Sequence, residues 1–560
     1  MALQISPRDT DLLLKKKNVL SADVLDKYRY AGEITQTCLS YLISLINDSY
    51  HLGKHEPYSA AELCLLGDSF IQTLVNSKYK KVIEKGIAQP VTLDVNDMIV
   101  GYSPELTDES NLTFQPGDIV TVNLGCQIDG YTSNLAHTIV IYPPGLSAPT
   151  GPLLGGPADA VCASYLATET VVSLLACALS PEKIPNSLLS NNSNRHITGS
   201  MIRKVVDSIA QSFNCAIVPT SKVRRIRRFL AGQAEGVVAE RDFKGVVWSE
   251  IDQESDLLKR SNFQDGAASS SSTDLSIIDQ SKGRSNDNKN PDKAIPTDDF
   301  VVSPGEVYTV DIKMAPVDRE EPGLITVDSG DGRDRGAKHS IFIRDVSISE
   351  QLKLRNSRRL LSLVDKEQSV YPFKLAYVSE NFPLDSKKDL VEQLAKIEKD
   401  VKIFRFGLSE CTNKQLLVPK AVLSCKFIPL REVLKVPTST GINGFDASNP
   451  ALPGMELPLP KLGLTALKLK TLLKHGRAVS VSRFLSTVAL SPDAGCVRLS
   501  GGNKTFTPSW VHSDYQLQGP VAEAVGELAA LVQDDRFGLK IDECRVMDLS
   551  SVGNDEAMEE

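Results

Sequence analysis

Asn123 and Asn134 are the two residues of this 560-residue chain whose types and spacing say most about its chemistry. They lie in GDIVTVNLGCQIDGYTSNLAHTIVIY, from Gly117 to Tyr142, which alternates apolar and polar residues on either side of Asp129-Gly130. Asp-Gly supplies the positive φ of a two-residue primed turn, so the run is predicted to be a β-hairpin. Folded about that turn, Gly125 faces Asn134. Asn123 then lies on the same face one diagonal step away, roughly 7 Å between backbones. Two aspartates so placed would converge on a metal. Carboxamides bring neutral oxygens and no charge to offset a dication, so the pair reads as a crippled metal site. Without further support the pair reads first as two solvated polar positions on a half-exposed sheet.

A second group is KVRRIRR, in which Lys222, Arg224, Arg225, Arg227 and Arg228 put five cations into seven residues. Arginine forks bind phosphate in bidentate fashion. The run is read as an RNA contact, against two competitors: a nuclear localisation signal and a plain solvated face. His137, close to Asn134, is read as a satisfied polar residue on a strand. The seven histidines show no metal-ligand spacing. The ten cysteines include no CxxC pair and read as reduced, buried thiols.

The hairpin, with KGIAQPVTLDVNDMIVGYSPE upstream and PGEVYTVDIKMA and HSIFIRD downstream, resembles the methionine aminopeptidases and their relatives of the pita-bread fold. The resemblance implies an α/β (α+β) pita-bread core of the methionine aminopeptidase and creatinase kind, with insertions. It places the family's first two metal ligands at Asn123 and Asn134 and its catalytic histidine at Gly101. Its ligand histidine falls at Gly232, its first ligand glutamate at Asp311 and its last at Ile343. Of that set only Asp311 is acidic, so the resemblance implies a pseudo-metallopeptidase with no cofactor. RRIRRFLAGQAEGVVAE, LPGMELPLPKLGLTALKLKTLL and GGNKTFTPSWVHS resemble one subgroup, the fungal pre-ribosomal export factors and their ErbB-receptor-binding animal relatives. That implies a non-catalytic factor on the pre-60S particle near the peptide exit tunnel, touching rRNA and rim proteins. It also implies other biogenesis factors and phenylalanine-glycine nucleoporins as partners, no membrane, and shuttling between nucleus and cytoplasm. The nucleoporin peptides are expected in the old substrate pocket, floored by apolar strand residues. Two alternatives remain: an active metallopeptidase with non-standard ligands, and a peptide-binding signalling scaffold.

The elements that would hold these residues can be read from the pattern. Ser21 is expected to cap a helix with the stripe Val24, Tyr28, Ala31, Cys38, Leu42 and Leu45. Ser59 and Glu62 form a capping box for the next. A long buried helix should open at Pro157 and run to about Leu179. Strands are expected at Val307 to Met314 and Ile341 to Arg344, and a hairpin in STVALSPDAGCVRLS. The composition, 41% hydrophobic and 24% charged, suits a globular chain. A net charge of −8 argues against wholesale nucleic-acid coating. On this reading no stretch approaches the roughly 20 apolar residues of a membrane span, and no signal-peptide pattern is expected. The organisation expected is core over 1–250, a disordered polar insertion over 251–299 and core over 300–426. A second insertion over 427–485, a return to core over 486–544 and an acidic tail over 545–560 complete it.

Overall fold

The computed structural model describes residues 12, 15–109, 111–144, 151–189, 195–228, 243–254, 257, 298–317, 321–329, 338–368, 370–385, 387–435, 466–502, 510–534 and 536–548. Gly232, most of 251–299 and the tail beyond 548 lie outside them.

The first helix, α1 (Ala22–Ile46), starts where Ser21 Oγ accepts a hydrogen bond from the Val24 amide. Its expected stripe is buried except for the partly covered Leu45. The second, α2 (Ala60–Ser77), carries the full capping box: Ser59 accepts from the Glu62 amide and Glu62 from the Ser59 amide. Four strands follow: β1 (Lys85–Val95), β2 (Met98–Val100), β3 (Ile119–Ile128) and β4 (Tyr131–Val140). Next come α3 (Gly156–Ala176), α4 (Gly199–Ser212), β5 (Cys215–Ile217), β6 (Lys222–Ile226) and β7 (Gly245–Val247). The middle of the chain gives β8 (Val307–Pro316), β9 (Gly323–Asp328) and β10 (Ile341–Arg344). Then follow α5 (Arg355–Glu367), β11 (Phe373–Lys374), α6 (Leu390–Asn413), β12 (Leu417–Pro419) and β13 (Leu423–Pro429). The last part holds α7 (Leu430–Lys435), α8 (Ala466–Leu472), β14 (Arg477–Ala478), β15 (Ser482–Ser491), β16 (Gly495–Arg498), α9 (Pro520–Gln533) and β17 (Ile541–Glu543).

Ten strands form one sheet with the path β1-β3-β4-β15-β8-β6-β7, to which β5, β16 and β17 attach. Helices α1 and α2 pack on β1, β3 and β4, and α3 on β8 and β15. The strand alternation shows why. On β3, Val120, Val122, Leu124, Cys126 and Ile128 enter the helix-side core, and on β8 Tyr308, Val310, Ile312 and Met314 do. A buried Val or Leu contributes roughly 1.5–3 kcal/mol, so these positions lock the register. The alternate residues, Thr121, Asn123, Thr309, Asp311 and Lys313, therefore face the other way. They are buried too. The smaller sheets β11-β10-β12 and β14-β13-β2, with β9 on β13, contribute residues to the cavity that this polar face lines.

Three limits differ from the sequence reading. Residues 427–429 complete β13 and residues 482–485 open β15, a strand of the main sheet, so both edges of the expected second insertion belong to the sheets. Residues 250–254, at the edge of the expected polar insertion, are helical. The helix Gly156–Leu179 is long and apolar enough, by length and composition, to cross a bilayer. In the fold 78% of its apolar window is buried, the position of a core helix.

Candidate functional site

The β3–β4 hairpin closes through Asp129 and Gly130, both with positive φ, 54° and 80°. Gly125 pairs with Asn134 and Asn123 with Ala136, the register expected. A Cβ at Gly125 would sit 2.1 Å from Asn134 Oδ1, so glycine is needed for the Asn134 side chain to lie across β3. Asn123 donates through Nδ2 to Thr92 Oγ1 at 3.2 Å, and Thr92 donates to Asp94 at 2.9 Å. Asp94 also accepts from the Tyr102 amide at 2.9 Å. Burial lifts the Asp94 carboxyl to about 6, against that amide.

Asn123, Asn134, Asp311 and Ile343 line one cavity of about 400 Å³. Gly101 stands at its edge, between the lining Val100 and the Ala421 backbone. Its φ is +100°, and a Cβ there would lie 2.8 Å from the Ala421 carbonyl oxygen. A side chain at this position, a histidine included, is strained and must displace that backbone. Gly232 falls outside the described residues. His137, on the opposite strand face, packs edge-on against Phe484 in the helix-side core, with ring centroids 5.1 Å apart. Burial, helped by Arg498, lowers its imidazole to about 3, so it is neutral and remote from the cavity.

Where the sequence resemblance places the metal ligands, the structure has a cation cluster. Arg483 grips Asp311 with both arms of its fork, Nε to Oδ1 at 2.8 Å and Nη2 to Oδ2 at 3.2 Å. Lys313 Nζ donates to the same Oδ2 at 2.9 Å and to the Thr220 carbonyl at 3.0 Å. All three side chains are at most 7% exposed. Burial alone would raise the Asp311 carboxyl, but Arg483 and Lys313 outweigh it and hold it well below the usual range. Burial lowers the Lys313 amine to about 8; Asp311 resists this, while Arg483 and Lys222 add to it. Lys222, Arg224 and Lys420 also line the cavity.

This donor set does not fit a metal pair. Two hard dications need several carboxylates or imidazoles. Here both oxygens of the one carboxylate among the described lining residues are taken by cations, and a dication in reach of Asp311 would lie against an ammonium and a guanidinium. Among the described residues no group of three or more His, Cys, Asp or Glu is placed to hold a metal ion.

The KVRRIRR run needs correction as an RNA contact. It forms β6 and its exit, and strand alternation splits it. Lys222 and Arg224 turn into the cavity. Arg225 is 5% exposed and pairs with Glu306 at 3.0 Å. Arg227 is 9% exposed, and Arg228 binds the Asp129 carboxylate at 2.5 Å and its carbonyl at 2.7 Å. The five cations share no solvent face. The expected apolar strand residues are present in the cavity, Val100, Ile226, Ile343, Leu423 and Leu485, but cations stand among them. The sequence reading missed Lys313, Lys420 and Arg483. Lys313 was within reach, because it lies two residues from Asp311 and so on the same strand face. Arg483 was hidden by an insertion limit drawn at 485, inside its strand.

Residues 26–148 match metallopeptidase family M24. The probable metalloprotease ARX1 of Candida albicans is 50% identical to this chain over 557 residues, 97% of each. The ERBB-3 binding protein 1 of Solanum tuberosum is 25% identical over 415 residues, 73% of this chain and 76% of that one. A solved structure, described as that of a thermophilic Arx1, aligns with a TM-score of 0.51 at 18% identity, over 91% of this chain and 98% of the other. At that identity the likeness speaks to the fold alone, which is the pita-bread fold.

Proposed function

The chain belongs to the family of proteins named probable metalloprotease ARX1, and on that premise we propose that it is a binding factor that has lost peptidase chemistry. The carrying observation is the Asp311–Arg483–Lys313 cluster. Metallopeptidase chemistry needs a metal to activate water and polarise a carbonyl, and this cluster sets fixed cations where the resemblance places the ligands. Gly101, where a side chain is strained, and the carboxamides of Asn123 and Asn134 support the same reading.

The biological role proposed rests on the resemblance of the sequence to pre-ribosomal export factors. The chain joins the pre-60S particle near the peptide exit tunnel, assists assembly and nuclear export beside other biogenesis factors, and leaves in the cytoplasm. Contact with phenylalanine-glycine repeats rests on resemblance alone; the cationic cavity gives such apolar peptides no preference. The contact with rRNA is proposed for surfaces other than β6, whose arginines are committed internally. Sucrose-gradient sedimentation of cell extract tests the role. The tagged chain should travel with large-subunit precursors; sedimentation only as a free protein, at low salt and after mild cross-linking, would end the proposal. The competing reading, an active peptidase with unusual ligands, is separated by metal content and peptide turnover.

A further inference from the structure

Among the described residues five cations and one carboxylate line the cavity, and they are graded in depth. Arg483 and Lys313 form the floor, at most 7% exposed, while Lys222, Arg224 and Lys420 are half-buried around them. The single floor carboxylate is shared between the two floor cations. Arg483 Nη1 is buried with no hydrogen-bond partner, and so is Asn134 Oδ1. A buried guanidinium N–H left unmet is costly, and a charge-assisted acceptor is what it would take. Between the cations the walls are aliphatic: Val100, Ile343, Leu423 and Leu485. Among the described lining residues there is no aromatic ring on which a nucleobase could stack.

We propose that this cavity binds a small organic polyanion, a carbon frame carrying two or more carboxylate or phosphate groups. The frame would lie on the aliphatic walls. Its anionic groups would meet Lys222, Arg224 and Lys420, above a floor that Arg483 and Lys313 keep cationic. A volume of about 400 Å³ holds such a molecule and is too large for a lone inorganic ion to fill. The proposal rests on the reading that the site holds no metal, and metal analysis of the same sample tests that premise separately.

The test is calorimetric titration of the full chain with citrate, inositol hexakisphosphate and inorganic phosphate at matched ionic strength. Citrate represents the carboxylate source and the inositol compound the phosphate source. One of the two should bind with one-to-one stoichiometry and at least tenfold more tightly than inorganic phosphate. Lys420→Ala and Lys222→Ala should each weaken that binding at least tenfold while circular dichroism stays unchanged. Lys396→Ala, at an exposed helix position outside the cavity, should leave it unaltered. If either cavity variant unfolds, the other carries the comparison; if both do, competition between the bound polyanion and added salt on the parent chain replaces them, and a salt-insensitive signal counts against the proposal. Binding no tighter than that of inorganic phosphate, or equal loss in the Lys396 variant, overturns it. Stoichiometric metal in the sample would instead overturn the premise.

Discussion

Asp311 is the residue on which the site turns, because two buried cations depend on it. Replacing it by asparagine leaves Arg483 and Lys313 without a counter-charge. Asp311→Asn is therefore expected to lower stability by about 3–5 kcal/mol, read by urea unfolding; a change within experimental error would mean that the cluster is solvated and this account of it wrong. Gly101 makes the complementary point. Gly101→His restores the residue type that the fold family's chemistry uses, but it meets the Ala421 carbonyl at positive φ. The cost should be roughly 1–3 kcal/mol, with no gain of peptidase activity. His137 gives a pH test. Its folded value of about 3 lies below its ordinary 6.5. Between those values the unfolded chain binds the extra proton, so its contribution to stability is present above 6.5 and is lost as pH falls. Acidification to about pH 5 should remove about 2 kcal/mol through this residue. In His137→Gln the slope of stability against pH over that window should flatten by that amount; an unchanged slope would show that the imidazole already titrates normally.

At the scale of elements, β6 shows what a pattern can and cannot tell. Cations interrupted by Val223 and Ile226 correctly suggest a strand. The alternation says which residues share a face, but not which face meets water. In this fold both faces are covered, one by helix-side core and one by the cavity, so the arginines became internal partners. Arg225→Ala should therefore cost about 1–3 kcal/mol, since it strips Glu306 of one buried partner. Lys396→Ala, which breaks an exposed pair with Glu392, should stay within about 0.5 kcal/mol. Equal thermal midpoints for the two variants would restore an exposed β6. The hairpin, by contrast, was legible to the residue. Asp129-Gly130 permits one tight turn and the two-residue period does the rest. The caps at Ser21 and Ser59 were legible for the same reason: their partners are three residues away. Arg483 was not legible, because it meets Asp311 across 172 residues, and no local pattern marks where β15 begins.

For the whole molecule, the fold was readable from a handful of segments, because a pita-bread sheet needs its hairpins in fixed register. The chemistry was only half readable. Losses show in a sequence: two carboxamides, a glycine and an isoleucine where the resemblance places ligands. Replacements do not, because Lys313, Lys420 and Arg483 reach the old site from three separate strands and loops. The scaffold keeps a cavity at that place, and its described lining residues set five cations around one carboxylate. The most direct test is elemental analysis of the purified chain after incubation with zinc, cobalt, manganese and iron, followed by desalting and a methionine-release assay on peptides. The expected result is metal far below one atom per chain and no release. About two metal atoms per chain, together with release of amino-terminal methionine, would contradict the account at its centre.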